Sequence, residues 1–227
     1  MIFRLGFGVL ALALVSAPAR ADVIAVNDLV KIVDNGYSRF EYNDGTVHRG
    51  GVFLLDNQGG GSDFLTFCLE RDESVSLQKP LANPPKAGAV YVVHDLSGAA
   101  SAGGVAGGSP DPLDNRTSYL YFAFRKGLTG AWVAGWTPAD LQEAIWHLEN
   151  ELDGVPVGTK ADALLTYAAL QAPGFDYAGE QVRVVTLRTL EGANAQDVLA
   201  ITPVPEPASL LLLGAGLIGL ASLRRRA

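Results

Sequence analysis

A single cysteine, Cys68, stands in the run Thr66-Phe67-Cys68-Leu69-Glu70. With no second cysteine in the chain, no intramolecular disulfide can form. The thiol is therefore buried, joined to another chain, or used chemically. As packing it is a small hydrophobe in a strand; as chemistry it is a nucleophile in need of a partner. His94 or His147 would supply the base of a nucleophile–base pair, although the local signatures of cysteine proteases are absent. None of His48, His94 and His147 has a second His or Cys at metal-ligand spacing. Glu143, Glu149, Glu151 and Asp153 crowd one segment. That is the composition of a carboxylate pair for glycoside cleavage, and equally that of a solvated helix face. Asp56, Asn57, Asp63 and Asp72 lack the spacing of a calcium loop. The glycines from Gly103 to Gly108 lack the strand-to-helix setting of a phosphate loop. No metal and no cofactor is expected.

The elements around Cys68 read as α+β. Short runs rich in Val, Phe, Tyr and Leu predict strands at Val23–Val33, Tyr37–Tyr42, Val52–Leu55, Phe64–Leu69 and Ala89–Leu96. Asn35-Gly36, Asn43-Asp44-Gly45, Gly59-Gly60-Gly61 and Asn83-Pro84-Pro85 separate them as turns. The Gly-, Ala- and Ser-rich stretch Ser97–Pro110 reads as a surface loop. Helices follow. One is capped by Asn115 and runs to about Lys126, and one opens at the capping box Thr137-Pro138-Ala139-Asp140. In the second, Leu141, Ala144, Ile145, Leu148 and Leu152 recur at helical spacing up to Gly154. A third helix starts at the box Thr159 to Asp162 and ends by Pro173-Gly174. Strands return at Val182–Leu190 and Val198–Thr202. The expected fold is an antiparallel sheet, barrel or sandwich with a helical insert, followed by a C-terminal hydrophobic helix.

Both ends carry addresses. Arg4, the apolar Leu5–Val15 and Ala19-Arg20-Ala21 form a signal peptide over residues 1–21, with cleavage after Ala21 by signal peptidase. At the other end, Pro205-Glu206-Pro207 leads into the apolar run Ala208–Leu223, and Arg224, Arg225 and Arg226 close the chain. A Pro-rich stretch stays extended and open to a processing enzyme. Sixteen apolar residues span roughly 24 Å as a helix, a little short of the ~30 Å hydrocarbon core. The arginines hold the far end on the cytoplasmic side as a membrane stop. The globular body is thus residues 22–202, with the sorting segment at 203–227. Of 17 basic residues against 24 acidic, five lie in the two end segments, so the exported body is strongly acidic. It does not attract phosphate backbones, and nucleic acid is not an expected partner.

The tail, with Pro205-Glu206-Pro207, a short helix containing Gly214, Gly216 and Gly219, and the Arg cluster, resembles the PEP-CTERM sorting signal of Gram-negative bacteria. That resemblance implies a membrane-anchored precursor, cutting by exosortase near Pro-Glu-Pro, and delivery to the envelope or extracellular matrix. A second resemblance lies in the body. The aromatic-Cys-Leu-acid strand ending at Glu70 and the helix start Leu141-Gln142-Glu143-Ala144-Ile145-Trp146 resemble the thioester domain of bacterial surface adhesins. It implies that Cys68 supplies the sulfur and Gln142 the acyl carbon of an internal thioester, with Glu70 and Trp146 in its environment. Leu141 stands where that motif usually has Thr.

These readings predict a non-enzymatic, exported surface protein that adheres to a matrix polysaccharide or protein by acylating an amine or hydroxyl. The alternatives are a non-covalent structural or carbohydrate-binding module and a secreted hydrolase. The thioester chemistry asks for a helix N-terminus beside the thiol to lower its pKa, and for shielding by Trp132, Trp136 and Trp146.

Overall fold

The computed structural model describes residues 22–34, 38–41, 47–79, 84, 86–101, 108–154 and 157–204, without the side chains of 38–41 and 47–49. The signal peptide with Ala21, Pro205-Glu206-Pro207 and the terminal arginines lie outside these residues. Among the described residues, no helix is long and apolar enough to cross a membrane.

The body is a nearly closed antiparallel barrel with three helices packed on one side. Its strands are β1 (Leu29–Asp34), β4 (Phe53–Asn57), β5 (Phe64–Thr66), β6 (Tyr91–Ser97), β9 (Glu180–Thr189) and β10 (Val198–Pro203), in the order β10-β9-β6-β1-β4-β5. A ribbon of β2 (Ser38–Glu41) and β3 (Val47–Gly50) and a short pair, β7 (Ala99–Ala100) with β8 (Asp111–Pro112), lie outside that sheet. The helices are α1 (Asn115–Arg125), α2 (Pro138–Leu148) and α3 (Lys160–Gln171).

Side-chain alternation divides the core in two, as period-2 strands require. Ile32, Leu55, Phe64, Cys68, Val93, Leu187 and Ala200 form one cluster, and Trp146 of α2 joins it. The opposite strand faces, with Phe67, Leu69, Val184, Leu199 and Ile201, pack against the three helices.

The edge strands β5 and β10 meet without a regular ladder, so side chains satisfy the seam. Thr66 Oγ1 donates to Leu199 O at 2.7 Å and accepts from Leu199 N at 2.9 Å. The Tyr121 hydroxyl lies 2.8 Å from Leu65 O and 2.9 Å from Leu199 O, between the strands. Asp22 fills the next step. Its N–H donates to Ile201 O, its carboxylate accepts from Ile201 N, and Arg125 of α1 clamps that carboxylate at 2.7 Å and 3.0 Å.

Element boundaries shift from the sequence expectation for local reasons. The first strand starts only at Leu29, because Asn27 turns the chain with φ 74° and the Asp28 carboxylate accepts from Ala25 N. The Asp114 side chain, not Asn115, caps α1, accepting from Arg116 N at 2.7 Å. The box at Thr137 and Asp140 forms in both directions. In α3, Thr159 accepts from Asp162 N, while Asp162 reaches back to Gly158 N. α2 ends at Leu148 with Glu149 as its C-cap, and Asn150 turns the chain at φ 61°, rather than the helix running on to Gly154, so Leu152 leaves the helical stripe.

Candidate functional site

Cys68 lies just past β5, where the ladder with β4 has opened. Phe53 pairs with Thr66 and Leu54 with Leu65; two further steps in that register set Gly51 opposite Cys68. On the other side Cys68 bridges Val198 of β10, and Leu69 N donates to Asp197 O. Into the opening on the Gly51 side comes the Gln142 side chain, from the first turns of α2.

Gln142 is 0% exposed and Cys68 6%. The Gln142 Nε2 donates to Cys68 O at 2.7 Å, and its Oε1 accepts from Cys68 N at 3.1 Å and from Gly51 N at 3.5 Å. The carboxamide thus takes the place of a neighbouring strand, satisfying both backbone groups of Cys68. A flipped amide would set two N–H donors against an NH₂ group, so the network fixes its orientation. Capping at Thr137 positions the whole arrangement, since it decides where the first turn of α2 begins.

Trp146 stands one turn after Gln142 on the same helix face. It is 2% exposed and shares the Cys68 cluster. Trp132 and Trp136 do not shield this site. They meet edge to face, with centroids 4.7 Å apart, in the helix-side cluster.

The expectation of a thiol activated by the helix N-terminus is also corrected. Burial, followed by the nearby Glu73 carboxylate, pushes the Cys68 thiol up to about 12. It is protonated at neutral pH, because desolvation of a thiolate outweighs the partial charge of the helix end. Any attack by sulfur must release the thiol proton in the same step.

Two of the carboxyl groups nearby, Glu70 and Glu151, are buried, while Asp72 is exposed. Glu70 is 1% exposed, and its carboxylate oxygens come within 4.8 Å of those of Asp72 and Glu151. Among the described residues this is the acidic group whose geometry could hold a metal ion. Its members also serve the backbone. Glu151 accepts from Arg71 N at 2.9 Å, and the Glu70 main-chain oxygen accepts from Gln196 Nε2 at 2.5 Å. Glu73 accepts from Asp197 N at 3.0 Å. Asp63 and Asn57 are spent on loop geometry. Asp63 accepts from Asn57 N, and Asn57 donates to Asp28 and to Val23 O.

His94 is exposed on β6, and the His48 side chain is outside the described residues. His147 approaches Glu143 at 3.9 Å. Burial lowers the histidine and raises the carboxyl, and each shift disfavours the charged form of its group.

Two buried carboxyls, Glu149 and Asp197, and the half-buried Glu73 give the fold a pH dependence. Desolvation raises Glu149 to about 7, Asp197 to about 6 and Glu73 to about 7, the last also through Asp197. Each binds its proton more tightly folded than unfolded. The stability it contributes is complete below the ordinary carboxylate range and is lost as pH rises through about 6–7. For Glu149, with 3% exposure, the loss is roughly 3 kcal/mol. Urea midpoints are therefore expected to fall from pH 5 to pH 8, and Glu149→Gln is expected to flatten that slope. An unchanged slope in the variant would remove Glu149 as its source.

Gly50, Gly51 and Glu73 were not singled out from the sequence. The Gly50-Gly51 pair before Val52 is a readable sign of close backbone approach; nothing distinguishes Glu73 from a surface acid.

The comparisons with known proteins bear on the tail. The PEP-CTERM protein-sorting motif matches residues 203–226. No curated protein and no solved structure matches the chain. With its motif at the position where the Pro-Glu-Pro, apolar and Arg segments follow one another, the chain is an exosortase-sorted exported protein, processed from a membrane-anchored precursor toward the cell envelope or extracellular space.

Proposed function

We propose that the body of this protein attaches itself covalently to surface or matrix molecules through an internal thioester between Cys68 and Gln142. It acts once per molecule and not as a turnover enzyme. The observation that supports this most is the buried carboxamide of Gln142 held on the backbone of the chain's lone cysteine, at 2.7 Å and 3.1 Å. Holding two reactants in register is what an intramolecular acyl transfer needs.

The reaction balances within the pair. A bond forms between Cys68 Sγ and Gln142 Cδ, the Cδ–Nε2 bond breaks, and the thiol proton leaves with the nitrogen as ammonia. A target amine then attacks Cδ, Cys68 recovers a proton, and Gln142 becomes a substituted amide. Glu70 and Trp146 supply the surroundings, one an acidic neighbour two residues from the sulfur and the other an apolar cover. By this reading the partners are exosortase and signal peptidase during processing, a matrix polysaccharide or protein afterwards, and the membrane through the C-terminal segment.

Geometry also ranks the nucleophiles. Loss of ammonia removes the donor to Cys68 O, and an acylated primary amine restores an N–H there, whereas an ester has none. An unpartnered buried carbonyl costs about 1–3 kcal/mol. Methylamine is therefore expected to add to Gln142 and to free Cys68, with methanol adding far less. Peptide mapping of the exported protein checks this. An adduct elsewhere, or one that persists in Cys68→Ala, would contradict the thioester.

The same hydrogen bonds also suit a purely structural reading, in which Gln142 keeps its nitrogen and ties the opened β4–β5 ladder to α2. It predicts that the folded protein keeps the Gln142 amide nitrogen and releases no ammonia, and that matrix retention survives Cys68→Ala.

A further inference from the structure

We infer that the backbone N–H groups of Gly51 and Cys68 form an oxyanion cradle for acyl transfer at Gln142, and that Gly50 is the positioning residue that makes the cradle possible. This rests on the thioester reading and goes beyond it, because it assigns the groups that stabilise the charge of the reaction.

Both steps, forming the thioester and opening it, pass through a tetrahedral carbon at Gln142 Cδ with negative charge on Oε1. The two donors that face Oε1, at 3.1 Å and 3.5 Å, are main-chain N–H groups in a buried site. Fixed donors in such a place are worth more than in water, and they need no reorientation during reaction. A long contact to the ground-state oxygen is the expected condition before reaction, since catalytic hydrogen bonds tighten as charge develops. The composition is also that of the serine-protease oxyanion hole, where the nucleophile's own N–H acts with a glycine N–H. Here the nucleophile is Cys68 and the glycine is Gly51.

The ladder would ordinarily consume these donors. At this point of the β4–β5 register the facing residues are Gly51 and Cys68, and the strands have parted, so their N–H groups turn to the carboxamide. Gly51 makes the turn into β4 with φ 129°, a conformation for glycine. Gly50 allows the approach. A Cβ there would lie 2.6 Å from Gln142 Cγ, 3.0 Å from Trp146 Cη2 and 3.3 Å from Gln142 Cδ. Gln142 is held by its hydrogen bonds at one end and by α2 at the other, so it cannot yield without leaving the donors. The third contact, Nε2 to Cys68 O, aims the leaving nitrogen away from the cradle.

The test uses the exported full chain. In the wild type, mass spectrometry follows loss of ammonia and then methylamine addition. Gly50→Ala is expected to slow both by roughly a hundredfold, the effect of losing one oxyanion donor, while the circular dichroism of the folded protein is retained. Equal rates in folded Gly50→Ala would overturn the cradle and leave the thioester standing. A wild type that never loses ammonia would overturn both. Should Gly50→Ala fail to fold, wild-type protein labelled with ¹³C at the glutamine side-chain carbonyl gives an independent reading. The thioester C=O stretch is expected below that of a thioester in apolar solvent, and an unlowered stretch would overturn the cradle.

Discussion

Gln142→Ala is expected to unfold at a temperature well below the wild type. The substitution leaves Cys68 N, Cys68 O and Gly51 N without their partner in a fully buried place. At about 1–3 kcal/mol for each orphaned group, hydrogen bonding alone accounts for about 3–9 kcal/mol. For a domain of this size, at about 2–4 °C per kcal/mol, that is a fall of roughly 6–36 °C in Tm. Cys68→Ala separates the clamp from the covalent bond. It keeps all three hydrogen bonds, since the backbone makes them, and removes about 1 kcal/mol of apolar burial. If a thioester closes the 74-residue separation, its loss adds about 4–5 kcal/mol by analogy with a disulfide. A large loss in Cys68→Ala therefore supports the bond, and a small one supports a clamp alone. Calorimetry of the two variants reads both quantities.

Arg125→Ala is the second large effect, and it tests the barrel seam. Arg125 donates to both oxygens of Asp22, to Leu65 O and to the Tyr121 hydroxyl. Asp22 in turn holds Ile201 N of β10. With the Asp22 side chain 6% exposed, removing its partner strands a buried charge, at a cost of about 3–5 kcal/mol. Urea denaturation measures this. Asp22→Ala in the Arg125→Ala background should cost less than it does alone, because no charge is then left unpaired. A loss below about 1 kcal/mol in Arg125→Ala would place the pair among exposed ion pairs of little weight.

The helices were legible in the sequence because their starts are local chemistry. The Thr137–Asp140 box sets the register of α2, and with it the position of Gln142 four residues before Trp146. The strands of the main sheet were legible by composition, and their approximate places held, whereas β3 was not foreseen. The stretch from Ser97, read as a surface loop, carries β7, with Ala100 buried. What composition could not give was pairing. That Gly51 faces Cys68 follows from the β4–β5 register, and the opening of that ladder depends on where α2 packs. The stop of α2 at Leu148 was missed because the left-handed Asn150 beyond its cap is a weaker signal than the Gly154 that follows. The thiol's acidity was misread for a different reason. A helix terminus is visible in sequence, whereas the burial that raises Cys68 to about 12 is a property of the closed barrel. The shielding tryptophans were likewise grouped by type, and only Trp146 shares a face with the sulfur.

The most direct test is the intact mass of the exported protein, unfolded in acid to preserve any acyl bond. A protonated, buried Cys68 resists alkylation whether or not it is bonded, so mass decides where thiol reagents do not. A thioester gives a mass one ammonia below the sequence, with the deficit absent in Cys68→Ala and in Gln142→Ala. A wild-type mass equal to the sequence would contradict the thioester, and with it covalent attachment.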